Sequence, residues 1–159
     1  MVDLAVLISQ EAELQFTRFS SEDALNLGLL LLNNAKDYTR PIVIDINLAG
    51  HQLFHYSMQG TSPDNNEWIR RKNNTVKRFG HSSFYMGQYC ASKSAVFEQK
   101  YAVSDKEYAC HGGAFPLIIQ GVGIVGTVTV SGLAQEDDHA LVVSSIKEYL
   151  EKQLEDAKP

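Results

Sequence analysis

The stretch GVGIVGTVTVSG, residues 121–132, decides between two classes of fold. Its first six residues satisfy the dinucleotide-binding pattern G-x-G-x-x-G, which requires a helix to begin directly after the third glycine. Residues 127–131 instead alternate β-branched side chains, which is typical of a strand that continues. We therefore predict a hairpin or bulge whose glycines permit positive φ and close backbone approach, and no dinucleotide site.

The sequence around this stretch predicts helices and hairpins in alternating groups. Residues 42–47 and 51–58 form one strand pair around a glycine-containing loop, and residues 115–120 and 123–132 form another. Helices are predicted at residues 3–16, 20–34, 62–79, from 82 into the 90s and at 135–154, with a short helical turn at 104–107. This grouping favours an α+β domain in which helices cover an antiparallel sheet.

Size and charge limit the classes of function. A chain of 159 residues is long enough for one domain, and 44% hydrophobic with 21% charged residues is a globular composition. A net charge of −5 gives no electrostatic reason to bind nucleic acid or an acidic membrane surface. No leader or bilayer-length apolar run is evident, so we expect a cytoplasmic protein whose two cysteines, Cys90 and Cys110, are reduced thiols.

Helical periodicity over residues 64–79 places one lysine on the wrong face. The apolar arc contains Trp68 and Val76, yet Lys72 falls inside it, with Arg71 and Arg78 at its border. Such a lysine either extends its stem along apolar surface or meets an anion in a pocket or subunit interface. The two arginines strengthen the second interpretation.

The segment RFGHSSFYMG, residues 78–87, contains a predicted helix junction. The first helix ends at Gly80, and His81, Ser82 and Ser83 then stand at the N-terminus of the next one, where an anion is favoured. The alternative is a capped corner without a ligand.

The remaining histidines differ in what they predict. His139 lies on the apolar stripe of the last helix, so its imidazole should point inward and stay neutral, while Asp137 and Asp138 face elsewhere. His51 and His55 are about 13 Å apart along a strand and cannot chelate one metal ion. In Cys110-His111-Gly112-Gly113 the glycines suggest backbone approach to a ligand, and a reactive thiol is the less favoured alternative.

Three segments carry a resemblance to a known family. DNNEWIRRKNNTVKRFGHSSFYMG (64–87), EYACHGGAFPL (107–117) and VSGLAQEDDH (130–139) resemble the UPF0303 family over nearly the whole chain. More remotely they resemble the haem-degrading-type superfamily of HbpS-like and GlcG-like proteins. The resemblance implies a single-domain, profilin-like sandwich with an antiparallel sheet of about five strands, helices on its faces and symmetric homo-oligomers. Because some superfamily members bind or degrade haem, the resemblance makes haem a candidate cofactor.

These observations predict a small anionic ligand bound in a pocket or subunit interface. The candidate ligand-binding residues are Trp68, Arg71, Lys72, Arg78, His81, Ser82, Ser83, Gly112 and Gly113. If the protein is an enzyme, His111 or His139 would carry the proton. No set of residues predicts a metal site. Two alternatives stay open: a haem-binding or haem-degrading protein, and a non-enzymatic oligomeric adaptor that docks a protein partner.

Overall fold

The computed structural model describes residues 2–158. The helices are α1 (Leu4–Glu13), α2 (Ser21–Asn34), α3 (Pro63–Phe79), α4 (Ser83–Ser92), α5 (Phe97–Tyr101) and α6 (Gln135–Asp156). The strands are β1 (Val43–Leu48), β2 (His51–Ser57), β3 (Ala114–Ile119) and β4 (Gly123–Ser131). In residues 2–158 no helix combines the length and the apolar character that crossing a bilayer requires.

Local signals set the helix boundaries. Ser20 and Asp23 form a reciprocal capping box at the start of α2. At the start of α3, Asn65 accepts a hydrogen bond from the backbone N–H of Ser62 at 3.0 Å, and Pro63 is the first helical residue. Gly80 ends α3 in the left-handed conformation with φ of 73°.

The four strands form one antiparallel sheet in the order β2-β1-β4-β3. The first hairpin turns at Gly50 and the second at Gly121, both with positive φ. Within β4, a Cβ on Gly126 would collide with the backbone of Asn47 in β1. The prediction for residues 121–126 is confirmed: these glycines serve a hairpin and a close strand contact.

The two faces of the sheet have different chemistry. One face is apolar and mainly aliphatic, and it packs against α2 and α6 through Ile44, Ile46, Phe115, Val128 and Val130. On the other face, α3 covers polar side chains of β1 and β4. Those polar side chains are buried, and they are Asp45, Thr127, Thr129 and Ser131.

The sandwich differs from the sequence prediction in three details. The sheet has four strands, close to the expected five. The first helix ends at Glu13, because Phe16 leaves it to bridge Ile119 at the β3 edge. The short helix near residue 100 is α5, and residues 105–107 form only a turn.

Candidate functional site

A cavity of about 380 Å³ opens between α3, the segment before β3 and the start of α6. We call it the α6 cavity. Its lining residues are Arg40, Asp64, Asn65, Trp68, Lys72, His111, Gly112, Ser131, Gly132, Leu133, Gln135 and Asp138. Four residues of the predicted site, Trp68, Lys72, His111 and Gly112, therefore meet at one cavity although they come from separate segments.

Lys72 is the polar centre of this cavity wall. The residue is only 2% exposed, as its place in the apolar arc of α3 predicts. Its ammonium donates to the carbonyl oxygens of Gly112 at 2.9 Å and Val130 at 2.8 Å, and it lies 3.4 Å from Asp138 Oδ2. The Lys72 side chain thus contacts three parts of the chain: the segment before β3, the end of β4 and the first turn of α6.

Burial shifts the pKa values of both members of this ion pair. Desolvation lowers the pKa of Lys72, and the attraction of Asp138 opposes that shift. Desolvation also raises the pKa of Asp138 to about 6, against the attraction of Lys72 and hydrogen bonds from the backbone. The wall of the cavity therefore contains a carboxyl group whose pKa burial raises toward neutral pH.

Glycines allow the backbone to approach this ion pair closely. A Cβ on Gly113, where φ is 136°, would collide with Lys72 Nζ and with the backbone of Val130. A Cβ on Gly112 would collide with the backbone of Gln135, whose side chain accepts from the Gly112 N–H at 3.1 Å. The two glycines are explained by packing around Lys72, whether or not a ligand binds.

Three side chains around the cavity have polar groups without partners. Trp68 Nε1, the Arg40 guanidinium and the His111 imidazole make no hydrogen bond with any of residues 2–158. The His111 ring packs edge-on against Trp68, with the ring centroids 5.2 Å apart. Desolvation, followed by the positive charge of Lys72, lowers the pKa of His111 and favours its neutral form.

The two arginines that flank Lys72 lie outside the cavity. Arg71 stacks on the outer face of Trp68, with its guanidinium 4.2 Å from the ring centroid. Arg78 lies over Phe79 and Tyr108, 5.6 Å from each ring centroid. Both guanidiniums are used in cation–π contacts on the protein itself.

The predicted anion site at the start of α4 is filled by the protein's own carboxylate. Glu11 of α1 accepts from the Ser82 backbone N–H at 3.1 Å and lies 2.9 Å from His81 Nδ1. Ser82 caps α4 by accepting from the Tyr85 N–H, and Ser83 exchanges hydrogen bonds with the Ala114 backbone. His81, Ser82 and Ser83 thus form the capped corner, with Glu11 as its anion, and do not border the α6 cavity.

His139 points away from the cavity although Asp138 lines it. The residue is 4% exposed and packs against Phe84 and Phe115, as its place on the apolar stripe predicts. Nε2 lies 2.8 Å from Gln10 Oε1, and Nδ1 is buried without a partner in residues 2–158. Desolvation lowers its pKa to about 4, so the imidazole is neutral at neutral pH.

One expectation from sequence is corrected here, and the less favoured alternative of a reactive thiol is contradicted. Asp138 does not face away from the core: it is buried because it accepts from the Leu133 N–H at 3.0 Å and pairs with Lys72. Burial raises the pKa of Cys110 to about 11, which is the opposite of what a reactive thiolate requires. Both cysteines are free thiols, as predicted.

The sequence reasoning missed Arg40, Gln135 and Ser131 as lining residues. Arg40 stands in the loop before β1, and no local pattern distinguishes it from other exposed arginines. Ser131 is the last residue of β4. Because alternate residues of a strand share one face of the sheet, Ser131 could have been assigned to the same face as Thr129.

The chain matches a known family and its relatives over most of its length. A family model described as "Haem degrading protein HbpS-like" matches residues 19–147. A UPF0303 protein of Streptomyces coelicolor is 44% identical over 147 residues, which cover 92% of this chain and 93% of the relative.

Solved structures support the same fold. The crystal structure of the Ybr137w protein superposes with a TM-score of 0.89 at 39% identity, covering 96% of this chain and 90% of that one. The PduOC:heme complex has a TM-score of 0.67 at 19% identity, covering 81% and 93%, and shows the fold alone.

Proposed function

The chain belongs to the UPF0303 proteins of the HbpS-like family, and we propose that it binds a small anionic ligand in the α6 cavity. The observation that carries this proposal is the set of unpaired donors, on Arg40, Trp68 and His111, around a cavity walled by the buried Lys72 ammonium. Pockets of this size bind small molecules through a few convergent polar groups.

The start of α6 supports an anion in particular. This helix has 22 residues, begins at the cavity with Gln135, and has no side-chain cap at Ala134. The N-terminus of a long helix carries partial positive charge, which adds to the charge of Arg40 and is offset in part by Glu136 and Asp137 in the first turn. The carboxylates of Asp64 and Asp138 oppose an anion, and Asp138 is compensated by Lys72.

Two groups in the cavity suit proton transfer if the ligand is also a substrate. At neutral pH Asp138, with a pKa of about 6, is mostly a carboxylate, and His111, with a lowered pKa, is mostly a neutral imidazole, so each is in the form that accepts a proton. Of these two, His111 has an imidazole with no partner in residues 2–158 and is the better candidate to contact a ligand. His139 is left out of this proposal because its ring is enclosed by Phe84, Phe115 and Gln10.

A ligand screen with matched arginine variants tests the proposal. Thermal shift measurements with inorganic phosphate and with mono-, di- and tricarboxylates should find an anion that stabilises the protein. Arg40→Gln should weaken its affinity roughly tenfold, the effect of about 1.4 kcal/mol, because it removes a lining guanidinium that has no carboxylate partner in residues 2–158.

Arg78→Gln is the matched control, since it removes the same charge from a surface outside the cavity. Equal loss of affinity in the two variants would mean that only net charge matters and would contradict a site at the α6 cavity. A screen in which no anion raises the melting temperature would contradict the proposal as well.

Haem is the second candidate, raised by the family description and by the heme complex of a structural neighbour. The residues of this chain do not fit an enclosed haem. The α6 cavity offers only Trp68 and Leu133 as large apolar side chains, whereas the macrocycle presents two flat apolar faces. A Soret shift on haem titration that His111→Gln abolishes would reverse this assignment.

Assembly with further copies of the chain is proposed as well. Leu25 and Leu29 are exposed one turn apart on α2, and Tyr56 is exposed on the edge strand β2. Light scattering should show an oligomer that L25E/L29E reduces to a monomer, with Leu154→Glu on the end of α6 as the control. The adaptor alternative predicts instead that substitutions in residues 78–87 change the assembly size with the fold intact.

A further inference from the structure

A second cavity, of about 400 Å³, lies on the opposite side of α3 from the first. We call it the hairpin cavity, because its floor is the β1–β2 hairpin. It shares no lining residue with the α6 cavity. Amide side chains are unusually frequent in it: they are Asn47, Gln52, Asn66, Asn73 and Asn74.

A buried carboxylate fixes one imidazole at the floor of this cavity. Asp45 and His55 are directly paired across β1 and β2, and Asp45 is 3% exposed. Asp45 Oδ1 lies 3.0 Å from His55 Nδ1 and accepts from Gln52 Nε2 at 2.6 Å, while Asn73 donates to Oδ2 at 3.4 Å. A carboxylate oxygen without a proton only accepts, so Nδ1 carries the ring proton. Nε2 lies 3.4 Å from the Ser57 hydroxyl, a long contact that a ligand hydroxyl can replace.

Some of the other polar groups of this cavity have partners within the protein, and others have none among residues 2–158. Arg70 is held by Glu67 and Glu107. Lys77 has no carboxylate partner in residues 2–158, and the Asn66 side chain makes no hydrogen bond there. The cavity therefore keeps a free ammonium and a free side-chain amide, next to an oriented imidazole whose Nε2 has only the long contact with Ser57.

We propose that the hairpin cavity binds a small phosphorylated polyol, such as a hexose phosphate. The phosphate is held by the Lys77 ammonium, which acts as a point charge. The free Asn66 side-chain amide both donates and accepts, which matches hydroxyl groups that do the same. The amide nitrogens of Gln52, Asn73 and Asn74 are already used within the protein. One hydroxyl donates to His55 Nε2 in place of the Ser57 hydroxyl. Because the carboxylate of Asp45 is already hydrogen-bonded by three side chains, it orients His55 and does not need to contact the ligand.

NMR of the full chain tests this site with defined probes. Glucose 6-phosphate at millimolar concentration should shift the His55 ring resonances and the Asn66 side-chain amide, while the His111 ring stays unchanged. Glucose alone and inorganic phosphate alone should each bind roughly tenfold more weakly, because each lacks one half of the contacts. Saturation at a defined stoichiometry supports a site over diffuse surface binding.

Variants separate binding from a structural effect. Lys77→Met should reduce the affinity for glucose 6-phosphate roughly tenfold, and Lys147→Met on the exposed face of α6 is the matched control. His55→Gln should weaken glucose 6-phosphate and leave inorganic phosphate unchanged. The proposal is overturned if no His55 resonance shifts, if inorganic phosphate binds as well as the sugar phosphate, or if the two lysine variants behave alike.

Discussion

The two faces of the sheet are built from alternate residues of the same strands, yet one face buries apolar side chains and the other buries polar ones. Toward α2 and α6, Ile44 and Val130 belong to a continuous aliphatic core. Toward α3, Asp45 and Thr129 are equally buried and are held by Asn73. Both cavities lie along the α3 face, and among their lining residues Leu133 alone packs against the aliphatic core.

This difference shows how one small domain can combine stability with binding. Aliphatic burial is non-directional, so that face needs shape and volume but no specific partners. On the α3 face every buried polar group needs a partner, and a group without one costs about 1–3 kcal/mol. The α3 face therefore fixes the positions of polar groups at the cavities, and the aliphatic face supplies most of the stability.

The largest effect is expected for Lys72→Met, which breaks the ion pair of the α3 face. It leaves the buried carbonyl oxygens of Gly112 and Val130 without the lysine donor, and it leaves Asp138 with backbone hydrogen bonds but no positive charge beside it. Loss of one member of a buried pair costs about 3–5 kcal/mol of unfolding free energy, measurable by urea denaturation. In the double variant K72M/D138N the loss should be smaller than the sum of the two single losses. Additive losses would mean that the pair is not coupled.

The next effect is a pH dependence of His139, the buried imidazole on the opposite side of the sheet. Its pKa falls from 6.5 to about 4 on folding, so its contribution is complete above pH 6.5 and is lost as the pH falls through 4. Asp138, with a pKa raised to about 6, acts in the opposite direction. His139→Gln should therefore remove about 3 kcal/mol of acid destabilisation, seen by comparing urea unfolding at neutral and acid pH. If the free energy of unfolding changed with pH in the same way in both proteins, His139 would not be a source of the acid destabilisation.

A smaller loss is expected for Thr129→Val, which keeps the shape of the side chain and removes its hydroxyl. Thr129 donates to Asn73, so the variant leaves a buried amide oxygen without a donor. The cost should be about 1–3 kcal/mol. Ile44→Val, on the aliphatic face, should cost about 1 kcal/mol and serves as the comparison. If Thr129→Val costs less than Ile44→Val, the hydrogen bond contributes little.

The smallest effect, of opposite sign, is expected for Thr127→Val two residues earlier on the same face. The Thr127 hydroxyl is buried with no partner in residues 2–158. Replacing it with a methyl group should stabilise the fold by about 1 kcal/mol. Thermal unfolding measures this, and a lower melting temperature would indicate a hydrogen bond through an internal water.

Local patterns predicted much of the fold. The alternation after Gly126 identified a strand, Gly80 and Ser82 marked the junction of α3 and α4, and periodicity placed Lys72 and His139 inside. The sequence did not reveal that Glu11 would cap α4 or that Asp138 would turn inward. Both depend on contacts between residues more than sixty positions apart.

What the sequence by itself determined is the order of elements and the side of each element that is buried, because both follow from spacing along the chain. Only the tertiary structure decided that Lys72 meets Asp138 and that His55 meets Asp45, while His81 is satisfied by Glu11. The physical reason is that burial can be inferred from one segment's periodicity, whereas the partner of a buried polar group is set by strand register and helix packing.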